Sequence, residues 1–271
     1  MVVLDEIRKA RQEGYDVVQD TLAWLDTDEY NNDAGAILLS DICNDHGTID
    51  WDVDIARLLL SRGVDANYCE RDDGWTLLHD AVSFSRNEYT RKLYAALIGA
   101  GADVNARAGE NYDFSTPLGA LLHDPGRHHV WVEVRQRWVI DPDIIHHYLE
   151  TARMLLRAGA SLDACYDDDS AEDFVEALLL VPRSQNGVAS DPNFLALKTL
   201  FANVRRAGSY KLWTRENVKA LLRLRSLVAR GRARDIKRLR AKTPREIALL
   251  LAPAFPNELF WKVMEYWNPR V

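Results

Sequence analysis

Residues 74–107 form the stretch GWTLLHDAVSFSRNEYTRKLYAALIGAGADVNAR, from which the fold can be predicted. Asp73 and Gly74 make a turn pair, since glycine adopts positive φ without steric cost. Thr76 stands where a helix N-cap is expected, with its hydroxyl available to a free backbone N–H. Apolar residues then recur at helical spacing in two runs, and Gly101 ends the second run. Two short helices cannot bury their apolar faces alone, so the stretch predicts stacked neighbours.

Two further copies of the second half of this stretch occur in the chain. Residues 55–67, IARLLLSRGVDAN, precede it, and residues 152–164, ARMLLRAGASLDA, follow it. The glycines that end the three copies, Gly63, Gly101 and Gly159, are 38 and 58 residues apart. Because the usual period of such units is about 33 residues, we expect an insertion in each unit and a large one in the last.

The stretch resembles one ankyrin repeat. Residues 76–81, TLLHDA, stand in place of the T-P-L-H-x-A segment that opens the first helix, with Leu77 replacing proline, and residues 101–105, GADVN, match the closing turn. The resemblance implies an all-α fold, an ankyrin-repeat solenoid with irregular insertions and a helical C-terminal region. The expected ranges are a solenoid over 1–183 (a cap at 1–30, repeats at about 31–68, 69–107 and 108–168, and a partial repeat at 169–183) and a helical region over 191–271.

The net charge of −7 is divided unequally along the chain. Residues 1–197 carry 36 acidic and 16 basic side chains, a net of −20, whereas residues 198–251 carry 3 acidic and 16 basic ones, a net of +13. An acidic repeat region implies a partner with a basic patch. The basic segment 219–245 has three possible interpretations. It binds nucleic acid, it packs against the acidic repeats, or it is a helix whose basic face is solvated. Its lack of interleaved aromatic residues disfavours nucleic acid.

The predicted activity is protein binding. An ankyrin resemblance implies that turns and first helices hold the partner, and exposed aromatic residues beside acids suit a protein interface. The insertion at 123–148 alternates valines with other residues and predicts a hairpin or an extended arm, whose tryptophans either bind a partner or fold back on the repeat core. The candidate binding residues are Arg71, Asp72, Trp75, Asp80, Phe84, Tyr112, Phe114, Trp131 and Trp138.

Chemistry-bearing clusters are few. Five histidines lie in or beside the insertion, at 123, 128, 129, 146 and 147, but no pair has metal-ligand spacing on one helix face, so we expect solvated histidines and no metal or cofactor. Three scattered cysteines without a CxxC pair suit a reducing compartment, which favours an intracellular and preferentially cytoplasmic location. No apolar run approaches the ~20 residues that cross a bilayer, and no nucleophile elbow, P-loop or dinucleotide fingerprint is present, so neither a membrane protein nor an enzyme is expected.

The C-terminal half predicts further helices. Residues 184–191 form a polar segment and the expected boundary, and Thr214 is predicted to cap a helix in the basic region. Residues 255–267, FPNELFWKVMEYW, resemble the opening helix of an F-box, with Phe255 and Trp267 replacing leucines. Poxviral ankyrin proteins carry a similarly short F-box-like end, and ankyrin proteins of unicellular algae share the overall arrangement.

The F-box resemblance implies an alternative function, a substrate adaptor of a cullin-type ubiquitin ligase. In that interpretation the docking residues are Pro256, Glu258, Leu259 and Trp261. A capping helix that packs on the last repeat is the competing interpretation, because its broad apolar stripe is typical of core.

Overall fold

The computed structural model contains two compact units, residues 1–202 and residues 203–271. Of the polar segment 184–191, where the sequence predicts the boundary, all but Asp191 lies outside the described residues. The structure describes residues 2–13, 16–27, 30–44, 50–70, 73–84, 88–109, 115–122, 129–132, 137–140, 142–163, 170–180, 191–230, Phe255, Pro256, Leu259, Phe260 and Lys262.

The described part of the first unit is built of helix pairs, with one antiparallel hairpin. The helices are α1 (Val2–Gln12), α2 (Val18–Leu25), α3 (Asn32–Asn44), α4 (Asp50–Ser61), α5 (Leu77–Phe84), α6 (Glu88–Gly99), α7 (Pro117–Leu122), α8 (Pro142–Ala158) and α9 (Ala171–Leu180). Helix α10 (Pro192–Ala207) begins in this unit. The two strands are β1 (His129–Val132) and β2 (Arg137–Ile140).

The helix pairs stack in chain order. First helices contact first helices, in the series α1, α3, α5, α7 and α9, while second helices contact one another in the series α2, α4, α6 and α8. Each first helix turns an apolar side inward, so that Leu38, Leu39, Leu77, Leu78 and Leu118 are almost completely buried. The predicted all-helical class is therefore confirmed at the level of stacked helices.

Three exit turns, the segments that follow α4, α6 and α8, have the same backbone geometry. In each, a glycine with positive φ ends the helix, and the next amide donates back to the carbonyl five residues earlier. Positive φ disfavours any residue with a Cβ, which explains why glycine recurs at this position. The glycines are Gly63 (φ 91°), Gly101 (φ 97°) and Gly159 (φ 106°), and the closing bonds run from Val64 to Leu59 (3.3 Å), Ala102 to Leu97 (3.0 Å) and Ala160 to Leu155 (2.9 Å).

Two asparagines link successive exit turns. Each donates its side-chain N–H to the glycine carbonyl of the next turn and accepts, at Oδ1, the backbone N–H two residues beyond that glycine. The pairs are Asn67 with Gly101 (3.1 Å) and Asp103 (2.7 Å), and Asn105 with Gly159 (3.1 Å) and Ser161 (2.7 Å). We call these contacts the asparagine bridges. Their matching lengths show that neighbouring pairs stack in one constant register.

The first helix pair packs against the second pair. Helix α1 contacts α3, and α2 contacts α4. Arg11 on α1 forms an ion pair with Asp52 on α4 at 2.6 Å, and the side chains of both are at most 5% exposed. Burying a charge is costly unless a partner compensates it, so each of these residues depends on the other.

Of the two structures predicted for the insertion at 123–148, a hairpin or an extended arm, the described residues form the hairpin. Strands β1 and β2 are antiparallel, with His129 opposite Ile140 and Trp131 opposite Trp138. Helix α8 begins at Pro142, where the fixed φ of proline suits the first helical position. The insertion therefore lies between the two helices of one pair.

The second unit contains helix α11 (Tyr210–Ala229). The predicted start at Thr214 is wrong, because Thr214 lies one turn inside the helix and its hydroxyl donates to the Lys211 carbonyl. Ser209 is the N-cap instead, and its Oγ accepts the Leu212 amide at 3.2 Å. Gly208, with φ 85°, makes the turn from α10 that frees Ser209 for this role.

Among the described helices, none is both long enough and apolar enough to cross a membrane.

Candidate functional site

His79, at the start of α5, is a buried polar side chain that forms hydrogen bonds through both ring nitrogens. Its side chain is completely buried. The Thr76 amide donates to Nδ1 at 3.1 Å, so Nδ1 is an acceptor and the ring proton lies on Nε2. Nε2 then donates to the Ser115 carbonyl, 3.1 Å away in the segment before α7. This imidazole therefore joins two successive helix pairs.

The charge state of His79 follows from these contacts. Its pKa is lowered to about 4, because burial disfavours the imidazolium, although the Ser115 carbonyl favours it. The Thr76 hydroxyl, predicted to cap the helix backbone, instead lies 2.8 Å from Nδ1. A proton on Nδ1 would face the Thr76 backbone N–H, which needs this nitrogen as an acceptor. The ring is therefore neutral near pH 7.

Two predicted binding residues, Trp75 and Asp80, contact each other. The Trp75 indole N–H donates to Asp80 Oδ1 at 2.6 Å, and its ring centroid lies 4.8 Å from that of His79. Asp80 is only 9% exposed, whereas Trp75 is half-buried. Trp75 therefore presents part of its ring to solvent, and Asp80 holds the indole in position.

An acidic surface surrounds the turn that precedes α5. We define the acidic turn surface as Asp33, Tyr68, Cys69, Glu70 and Asp73. Burial raises the pKa of the Tyr68 phenol, and the charges of Glu70 and Asp33 raise it further. Burial likewise raises the pKa of the Cys69 thiol, with an added contribution from Asp73. The charges of Asp33, Glu70 and Asp73 therefore act on neighbouring groups of this turn.

The acidic turn surface includes residues that the sequence analysis did not select. Glu70 is exposed and accepts a hydrogen bond from the Ser40 hydroxyl of α3 at 3.0 Å, so the turn is held against the preceding helix pair. Tyr68 and Cys69 are half-buried beside it. The signal available in the sequence was proximity, since residues 68–70 directly precede the selected Arg71 and Asp72.

Several predicted residues have only part of their surroundings described. Trp131 and Trp138 are paired in the backbone register of the hairpin, and Phe84 is the last residue of α5. Arg71, Asp72, Tyr112, Phe114, Glu258 and Trp261 lie outside the described residues.

One expectation about the histidines is wrong. His147 is not solvated but 6% exposed, and its Nε2 lies 3.3 Å from the Thr151 hydroxyl one helical turn later. Its ring also packs edge-on to Tyr94 of α6, with centroids 6.3 Å apart. Burial follows from the position of His147 on the face of α8 that contacts α6. The neighbouring His146 is exposed.

Metal-ligating groups do not converge in the described parts of the chain, where no cluster of three or more His, Cys, Asp or Glu side chains is suited to a metal ion. Cys43 is buried, and burial raises the pKa of its thiol well above the ordinary value. A thiol in that state is a poor nucleophile and a poor ligand.

In the second unit, Arg225 organises the described residues of the terminal segment. Its guanidinium donates to the Phe255 carbonyl at 2.7 Å and lies over the Phe260 ring, 4.1 Å from the centroid. Phe260 is 2% exposed, while the adjacent Leu259 is 48% exposed. This segment therefore has one anchored and one outward-facing apolar residue.

The chain matches no protein-family model and no curated protein.

Proposed function

We propose that the stacked helix pairs are ankyrin-type repeats and that the chain is a scaffold that binds another protein through the acidic turn surface. The observation that carries the proposal is the concentration of carboxylates at an inter-repeat turn, next to the half-buried ring of Trp75. An aromatic ring beside charged groups is a common composition of protein-binding hot spots.

The repeat assignment is supported by two sets of contacts. His79 bonds to its own turn and to the next repeat, which suits the conserved place of histidine in the T-P-L-H-x-A segment. The asparagine bridges connect GADVN-like exits at a constant register. In such an array each repeat contacts its neighbours only, so the turns remain free to vary in sequence and to bind.

The partner is expected to present lysine or arginine. Asp33 and Glu70 are both exposed, and neither forms an ion pair with a described residue. A basic side chain docked between them would gain electrostatic attraction in partly desolvated surroundings, next to the half-buried Tyr68. The proposed partner is therefore a protein with a basic patch.

A displayed peptide library, selected against the full-length chain, tests this function. We expect the selected peptides to be rich in lysine and arginine. The double variant D33N/E70Q should weaken the binding of the selected peptides about tenfold, by removing two exposed charges. The control D20N/D54N removes two exposed charges from second helices and should bind like wild type. Selection of peptides without basic residues, or equal loss in both variants, would refute the proposal.

A second candidate function is the cullin-ligase adaptor. The observation that favours it is the exposure of Leu259, which is 48% although the adjacent Phe260 is buried. Leu259 lies three residues after Pro256 in the F-box-like segment. We propose that Leu259 contacts the ligase adaptor protein. Binding of a purified F-box-binding cullin adaptor should be lost in L259A, whereas L195A, an equally exposed leucine of α10, should leave it unchanged. Absence of binding by the wild-type chain would exclude this function.

A further inference from the structure

Helix α11 carries a regular row of basic side chains. Lys211, Arg215, Lys219 and Arg223 are spaced four residues apart, and all four are exposed. We call them the basic row. At 1.5 Å per residue the neighbours are about 6 Å apart along the axis, and the row extends about 18 Å. Successive members turn by only about 40°, so the row occupies one side of the helix.

The basic row and Arg225, the remaining basic residue of α11, differ in their contacts with the described residues. None of the four members of the basic row forms an ion pair with a described residue. Arg225, on another side of the same helix, behaves differently, because it binds the Phe255 carbonyl and covers the Phe260 ring. The only carboxylate within α11 is that of Glu216. Within α11, Arg225 therefore contacts the terminal segment, while the four aligned cations of the basic row are exposed.

Two exposed leucines accompany the basic row. Leu212 is 48% exposed and Leu227 is 44% exposed. At 100° per residue Leu212 falls within the arc of the basic row, and Leu227 lies about 40° beyond Arg223. An exposed leucine in isolation is unremarkable, but here each one adjoins the same charged side, toward either end of the helix.

We propose that the basic row and its two leucines dock an acidic amphipathic helix of a partner protein. Carboxylates on every fourth residue of such a helix would repeat at the same 6 Å interval and face one basic side chain each. Apolar residues beside those carboxylates would cover Leu212 and Leu227. This surface has the opposite charge to the acidic turn surface, so it recruits a second, different partner.

Nucleic acid and membranes fit these observations less well. A phosphate backbone offers no apolar partner for the leucines, and Trp213, an aromatic residue of the same helix, lies about 80° from Arg223 around the axis, outside the row. A membrane-surface helix needs a broad continuous apolar face toward the lipid. Two leucines about 22 Å apart do not provide one. A protein helix uses both the charges and the separate apolar contacts.

Binding of a designed probe to the full-length chain tests the proposal. The probe is a synthetic 21-residue helical peptide with glutamate at every fourth position and leucines beside the glutamates. Its control has the same composition with the glutamates distributed around the helix. We expect the ordered peptide to bind at least fivefold more tightly than the control and to weaken as salt is raised. A 20-base-pair DNA duplex and vesicles containing phosphatidylserine are the competing probes.

Two double variants distinguish the effect of the basic row on peptide binding from the effect of net charge. K219Q/R223Q should lose about tenfold in affinity for the ordered peptide, while R205Q/R206Q, with the same change in charge on α10, should keep wild-type affinity. Circular dichroism of each variant checks that the helices remain. Equal binding of the two peptides, equal loss in the two variants, or tighter binding of the duplex or the vesicles would overturn the proposal.

Discussion

Acidification should weaken the stack specifically through His79. The imidazole has a pKa of about 4 in the fold, against an ordinary 6.5, so the folded chain binds fewer protons than the unfolded chain between these values. The stabilisation is therefore fully present above pH 6.5 and is lost as the pH falls toward 4. A pKa difference of this size contributes about 3 kcal/mol to the free energy of unfolding at neutral pH, and about 2.5 kcal/mol of this contribution is lost by pH 4.5.

The assay compares urea unfolding of the wild type and H79Q between pH 7.5 and 4.5. Glutamine does not titrate, so the wild-type advantage over H79Q should shrink by about 2.5 kcal/mol across this range. Unfolding is followed by far-UV circular dichroism, because the described elements are mainly helices. The matched control is H146Q, which changes an exposed histidine of α8 and should follow the wild-type curve. A wild-type advantage that stays constant with pH would refute the reasoning.

Three further substitutions test the packing. D52A should cost about 3 kcal/mol in urea unfolding, because it leaves Arg11 as a buried charge without its carboxylate; a loss below about 1 kcal/mol would contradict this. G101A should cost about 1–2 kcal/mol because of its positive φ, whereas G99A, in the last turn of α6 with open space around it, should not destabilise. N105A removes both bonds of one asparagine bridge and should cost about 1–2 kcal/mol, with faster amide exchange in the next exit turn. Unchanged exchange there would show that the bridge does not couple the neighbouring helix pairs.

Local signals in the sequence predicted where three of the helices end. Gly63, Gly101 and Gly159 end their helices because positive φ is a property of the single residue, and it can be recognised without knowing what lies nearby. The start of α8 at Pro142 also has a local cause, the fixed φ of proline. The start of α11 was missed because Thr214 and Ser209 are both good caps, and only the turn at Gly208 decides between them.

The candidate site was less predictable, because its properties depend on residues distant in sequence. Asp80 looked like a surface acid but is covered by Trp75, five residues earlier. His147 is buried because α8 packs on α6, a contact that the helical pattern of α8 does not specify. The acidity around Tyr68 includes Asp33, a residue 35 positions earlier that only the stacking of helix pairs brings near.

The asparagine bridges also have a consequence for how this chain can be altered. Both bridges have the same bond lengths, although 38 residues separate the glycines of one junction and 58 those of the other. The extra length between α7 and α8 is thus absorbed locally and leaves the junction unchanged. We therefore expect a reporter domain grafted into that segment to leave the register of the helix pairs unchanged.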